Sequence, residues 1–264
     1  MNRIELSSRN ASGADQAHAT VGSLSLADTP APFRPRAAST LRYHLFMPLH
    51  YEPNYAYPLV IWLHGPDDHE RQLRQVMPGL SVRNYVAIGP RGTRRTHPQS
   101  SLMTWGDAPE DVAQAEQAVC ECLDIASRKL NVHPDRVFLA GLGSGGTMAL
   151  RVGARQPRLF AGLVSLGGGF PQGAGMLANL AAMRQCPLYI AQGRDAINYT
   201  VDDLCENLRL FHTAGISATV RQYPCGDELT TRMLRDLDHW LMEQVTGQPT
   251  EDPASPPISR CPLN

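Results

Sequence analysis

The strongest constraint on this chain is its rhythm. Short apolar or β-branched runs occupy 40–48, 57–64, 84–90, 136–141, 162–168, 187–193 and 217–224. Helix-patterned stretches fill most of the gaps, at 109–130, 144–156, 201–215 and 230–245. Several of the runs, such as PLVIWL at 58–63, are apolar at every position, so both of their faces must be covered. Strand and helix in alternation, with strands apolar on both sides, predicts a doubly wound, mostly parallel sheet of the α/β class. The stretch 109–130 is the clearest helix: Val112, Ala115, Val119, Leu123, Ala126 and Leu130 recur at three- and four-residue spacing, with Asp107 as a cap before Pro109.

Composition narrows the function classes. The 264 residues carry 24 Lys plus Arg against 25 Asp plus Glu, a net charge of −1. That balance removes the electrostatic basis for binding nucleic acid or an anionic membrane. No apolar run is long enough to span a bilayer, and the first residues lack the apolar centre of a secretory signal. The six cysteines form no CxxC pair, which reads as free thiols in a cytoplasmic protein. Cys120 and Cys122, two apart on a helix, point to different sides. Residues 1–38 and 246–264 are polar, proline-containing and aperiodic, which predicts a mobile arm and a disordered tail around a domain spanning 39–245.

In a parallel sheet, ligands sit outside the carboxyl ends of the strands. The most informative strand-to-helix loop is VFLAGLGSGGTMAL at 137–150, a strand, a glycine-rich turn and a helix. It resembles the nucleophile elbow of the α/β-hydrolase fold, and in particular the phospholipase/carboxylesterase branch with its acyl-protein thioesterases. DRVFLAG at 135–141, LHG at 63–65, GPRG at 89–92 and WGD at 105–107 extend the resemblance over roughly residues 40–245. It implies a serine hydrolase that needs no cofactor and no metal.

The catalytic positions depart from that pattern. G-x-S-x-G reads Gly141, Leu142, Gly143, Ser144, Gly145, so the nucleophile position is Gly143. Counting without gaps puts Ala196 at the acid position, with Asp195 one residue early and within reach of a small loop shift. The base segment reads YPCGDE, with Asp227 where the family has histidine. An aspartate, with an ordinary pKa of about 3.9 against about 6.5 for histidine, is a poor base for a serine near neutral pH. One oxyanion donor in the family is the backbone N–H after LHG, and Pro66 has none. Losing one such donor typically costs about 10²–10³ in rate. Trp105 of WGD and the backbone of Ser144 complete the remnant of the pocket.

Two further readings stay open on the sequence. Ser144 serves as a displaced nucleophile with Asp195 and a loop histidine, or it is simply a serine at a helix start. His69 and His97 lie in loops on the site side, His64 reads as a loop-fixing residue, and His212 and His239 fall in helices. Arg91, Arg94 and Arg95 follow a strand near the N-terminus of the elbow helix, where a small anion would be welcome. Gly141, Gly143 and Gly146 match the spacing of a dinucleotide fingerprint, but no suitable acidic residue follows the next strand. The sequence therefore predicts a catalytically silent homologue with a binding or scaffold role. The alternatives are an active esterase using Ser144 and a small-molecule or anion binder using the vacated pocket. A homodimer is compatible with this reading, and no protein partner can be named from it.

Overall fold

Continuous apolar runs form the middle of the sheet, because only strands covered on both faces can be apolar at every position. A computed structural model describes residues 41–171 and 178–248. Strand β2 (Tyr57–Leu63), β3 (Val86–Pro90), β7 (Gly162–Leu166) and β8 (Leu188–Gly193) are buried along their whole length. With β1 (Tyr43–Phe46), β6 (Val132–Leu142) and β9 (Ala218–Tyr223) they make a seven-stranded sheet in the order β1-β3-β2-β6-β7-β8-β9. Only β1 runs antiparallel, against β3. A separate two-stranded ribbon pairs β4 (Arg94–Arg95) with β5 (Met103–Thr104).

Helices cover both faces. Alternate β2 residues Tyr57, Leu59, Ile61 and Leu63 pack with α2 (Pro109–Lys129), α3 (Ser144–Arg155) and α5 (Val201–Ala214). The intervening Val60 and Trp62 pack with α1 (Leu73–Leu80) and α6 (Thr231–Thr246). A four-residue helix, α4 (Leu180–Met183), completes the first layer. The doubly wound sheet expected from the alternation is the one observed.

Three details differ from the expectation. Asp107 does not cap α2: the cap position is Ala108, whose carbonyl receives the Val112 N–H, and no side chain caps the helix there. Asp107 stands one residue too early for the role. Leu123 is only half-buried while Cys122 and Ile125 are buried, so the apolar stripe drifts around the helix from the simple spacing. Helix α1 has no counterpart in the sequence reading because Pro78 and Gly79 mimic a break. Its apolar stripe of Leu73, Val76, Met77 and Leu80 nevertheless holds it against the sheet. The arm at 1–38 and residues 249–264 of the tail lie outside the described residues, whereas Thr246, expected to begin the tail, is the last residue of α6, capped by Gly247.

Register sets up the site. Leu63 pairs with Gly141 and Leu142 with Leu166, so the loops after β2, β6 and β7 emerge together. Gly193 pairs with Tyr223, which places the loops after β8 and β9 side by side.

Candidate active site at the carboxyl edge of the sheet

The elbow is built by close backbone approach. A Cβ on Gly145, in the first turn of α3, would lie 2.3 Å from the carbonyl oxygens of Leu63 and His64. Glycine there lets the helix start directly against the end of β2. Gly143 turns the chain from β6 into α3 at φ 52°, ψ −121°, a conformation that side chains adopt only under strain. Its N–H donates to the Leu166 carbonyl at 2.8 Å and its carbonyl receives the Thr147 N–H at 3.0 Å. The tight strand-turn-helix geometry is therefore present at the position where the resemblance places a nucleophile.

The space above it is filled. A Cβ built on Gly143 would meet Pro66 Cδ at 2.9 Å and Cγ at 3.5 Å. Ser144, the first helical residue, sends its hydroxyl to Thr104 on β5, with the two oxygens 3.1 Å apart. Among the described residues, no hydrogen bond joins Ser144 to a histidine.

The loop after β2 is held by buried polar groups. Gln72, from the short turn of helix before α1, accepts from the Trp62 indole at 2.8 Å and from the Gly65 N–H at 3.1 Å, and donates to Asp68 Oδ2 at 2.8 Å. His64 is fully buried, with Nδ1 2.7 Å from the Gly65 carbonyl and Nε2 receiving the Gly92 N–H at 2.9 Å. Those partners require the neutral tautomer with its proton on Nδ1. Trp105 is buried too, and its indole donates to the His64 carbonyl at 2.9 Å, so it braces the loop rather than lining an open pocket.

Burial pushes the His64 pKa below its ordinary value, outweighing the Gly65 hydrogen bond and nearby carboxylates that pull it up. The folded state thus favours the neutral ring. Its contribution is present above the unfolded-state pKa of about 6.5 and is lost as pH falls below it toward the lowered folded value. Urea unfolding at pH 7.5 and 5.5 checks this. His64→Gln should flatten the loss of stability on acidification, and an unchanged slope would remove His64 as a contributor.

The positions expected to carry acid and base are engaged in shaping a loop. Asp227 accepts from the Ile197 N–H at 3.2 Å, the Asn198 N–H at 3.2 Å and the Asn198 side-chain amide at 2.9 Å. Ala196 is half-buried, and its N–H closes a turn onto the Gly193 carbonyl. Asp195 is exposed and pairs with its neighbour Arg194 at 3.2 Å.

The remaining candidates are dispersed. His69 accepts the Arg71 N–H and lies 3.6 Å from Asp68, while His97 and His212 are exposed and His239 is half-buried on α6. Arg91 is drawn toward Glu70, with Nε 3.3 Å from Oε2 but without hydrogen-bond alignment, and it donates to the Ser101 carbonyl. Arg95 donates to the Ser100 carbonyl, and Arg94 is exposed on the ribbon opposite Thr104. Gln72, Thr104 and Asn198, which organise the site, carry no local motif that would have singled them out. Among the described residues no cluster of metal-ligating side chains occurs, and no helix is long and apolar enough to cross a membrane.

No protein-family model matches the chain. It is similar to the carboxylesterase SOBER1 of Arabidopsis thaliana, 20% identical over 207 residues, which is 71% of this chain and 91% of that protein. The crystal structure of SOBER1 superposes with a TM-score of 0.62 at 19% identity over 72% of this chain and all of that one. A Bacillus cereus carboxylesterase gives 0.61 at 16% identity over 78% and 95%. Acyl-protein thioesterase 2 of Zea mays gives 0.61 at 16% identity over 77% and 99%.

Proposed function

We propose, from the premise that this chain is an α/β-hydrolase-fold protein with carboxylesterase and acyl-protein thioesterase relatives, that it is a pseudo-esterase: it keeps the frame and acts by binding. The observation that carries the reading is the Gly143–Pro66 contact. A missing nucleophile alone is one substitution, but here a proline ring also occupies the space into which a serine side chain would project. An acyl-transfer serine works by presenting its hydroxyl on the strained turn to a general base. Gly143 has no hydroxyl, and Asp227, at the expected base position, spends both carboxylate oxygens on Ile197 and Asn198.

The same geometry weighs against the two alternatives. The Ser144 hydroxyl pairs with Thr104 rather than with a histidine. Arg91, the most enclosed of the three arginines, lies against Glu70, so its charge is largely met within the protein.

The decisive experiment combines a fluorophosphonate probe with hydrolysis of short p-nitrophenyl esters. The wild-type protein should remain unlabelled and turn over ester no faster than a buffer blank. Labelling that maps to Ser144 would overturn the reading. A folded variant combining Gly143→Ser, Ala196→Asp, Asp227→His and Pro66→Ala should acquire weak esterase activity. Silence from that variant would show that the acyl pocket has diverged along with the triad.

A further inference from the structure

The loop after β8 has become a rigid projection. Five consecutive backbone N–H groups, from Arg194 to Asn198, are all engaged. They donate in turn to the carbonyls of Tyr223, Cys225 and Gly193 and then to the two carboxylate oxygens of Asp227. At its tip Ile197 is 84% exposed, more than any other large apolar side chain among the described residues. Lone exposed apolar residues are common on surfaces. One fixed on a fully hydrogen-bonded loop differs, because little ordering entropy remains to be lost when it is buried.

A receptor for such a knob lies at the other end of the sheet. A groove of about 550 Å³ opens between the 157–159 turn that precedes β7 and helix α4, with Pro157, Leu159, Ala181 and Ala182 as its apolar ribs and Arg155 and Arg158 at its edge. The two surfaces are of opposite charge. Residues 194–206 and 224–228, around Ile197, carry six carboxylates and one arginine. Residues 151–160 and 178–186, around the groove, carry four arginines; the carboxylate that reaches this edge, Glu116 on α2, is bound to Arg155 and Gln156, which leaves the edge net positive with Arg158 exposed. Because knob and groove stand at opposite ends of the strands, a single molecule cannot satisfy both.

We propose that the occupant of this groove is the Ile197 loop of a second copy of the chain, giving head-to-tail self-association. Ile197 inserts among Pro157, Leu159, Ala181 and Ala182, while the acidic rim around it faces Arg158. This goes beyond the loss of catalysis and holds whether or not the protein turns over esters. A heterologous contact of this kind closes into a ring or grows into a filament, unlike an isologous dimer. One anchor and a charged rim make it weak and salt-sensitive.

Sedimentation velocity on the full chain, from about 1 to about 500 μM, tests it. The wild type should build species larger than a dimer with rising concentration, and these should recede on going from about 50 mM to about 500 mM salt. Ile197→Asp and Ala181→Glu, both at exposed positions, should each weaken association at least tenfold while leaving the thermal midpoint unchanged. An equimolar mixture of the two variants should form a 1:1 dimer and stop there, since only one knob and one groove remain intact. A wild type that stays monomeric throughout would overturn the proposal. So would oligomers indifferent to both substitutions, or a mixture that fails to pair.

Discussion

Gly143→Ser, the single change that puts a serine at the turn where the resemblance places a nucleophile, is expected to destabilise the protein by about 3 kcal/mol and to yield no esterase. Two costs combine. A side chain at φ 52°, ψ −121° carries backbone strain of about 1–3 kcal/mol. Its Cβ would also press on Pro66 Cδ at 2.9 Å, and relieving that contact adds about 1–3 kcal/mol. A proline ring cannot swing aside as the end of a flexible side chain would. For a domain of this size the thermal midpoint should fall by about 6–12 °C. Pro66 is exposed, so Pro66→Ala alone should cost no more than about 1 kcal/mol. The double variant should be less damaged than the sum of the two, with a coupling of at least about 1 kcal/mol in a denaturant-based cycle. A Gly143→Ser protein as stable as wild type, or additive behaviour in the cycle, would separate the two residues and remove the main support for a filled nucleophile site.

That coupling bears on how the proposed loss of catalysis is built. Had Gly143 replaced serine on an otherwise unchanged frame, one reverse substitution would restore the hydroxyl in its place. With Pro66 above the turn, the loop after β2 and the elbow are matched to each other, so that one cannot be changed without the other. The loops after β8 and β9 follow the same logic. Asp227 fills the expected base position, yet it organises Ile197 and Asn198 rather than a nucleophile. In the proposed reading, positions that would carry chemistry in an active esterase serve shape instead, which is what a binding role demands of a rigid surface.

The extent to which this was legible in the sequence follows from the range of the interactions. The strands announce themselves because burial on both faces leaves an unbroken apolar run, as in β2 and β8. The elbow is legible because its glycines cluster in one short run, although the contacts that require them, such as Gly145 against the Leu63 and His64 carbonyls, are long-range. Asp107 misled as a cap because capping depends on which carbonyl closes the first turn, a matter of one residue that composition does not reveal. Helix α1 was hidden by Pro78, since a breaker in the final turn of a short helix is outweighed by its apolar face. The Pro66–Gly143 contact spans 77 positions, and neither residue alone indicates that their atoms meet. Trp105 looked like a pocket residue and is a brace, because its indole finds the His64 carbonyl.

The least legible residue of the site is also the one whose loss should be felt most. Gln72 sits in no motif, yet its single carbonyl oxygen accepts both the Trp62 indole N–H and the Gly65 N–H. Trp62 is 1% exposed, so its donor has no water to turn to. Gln72→Leu preserves volume and leaves two buried donors unpaired, at about 1–3 kcal/mol each. The expected loss is about 2–5 kcal/mol, read from urea unfolding monitored by tryptophan fluorescence. The desolvation argument makes a sharper demand than the size of that loss. Trp62→Phe removes one of the orphaned donors, so adding it to Gln72→Leu should cost at least about 1 kcal/mol less than adding it to wild type. If Trp62→Phe costs the same in both backgrounds, the hydrogen bond contributes nothing, and Gln72 acts through packing alone. Gln72→Glu keeps the acceptor but sets a carboxylate against Asp68 Oδ2, now 2.8 Å from the amide nitrogen. It should fall between wild type and Gln72→Leu at neutral pH and recover as pH is lowered enough to protonate one of the two carboxylates. That recovery has the opposite sign to the His64 effect, so the two can be separated in a single acid titration of both variants.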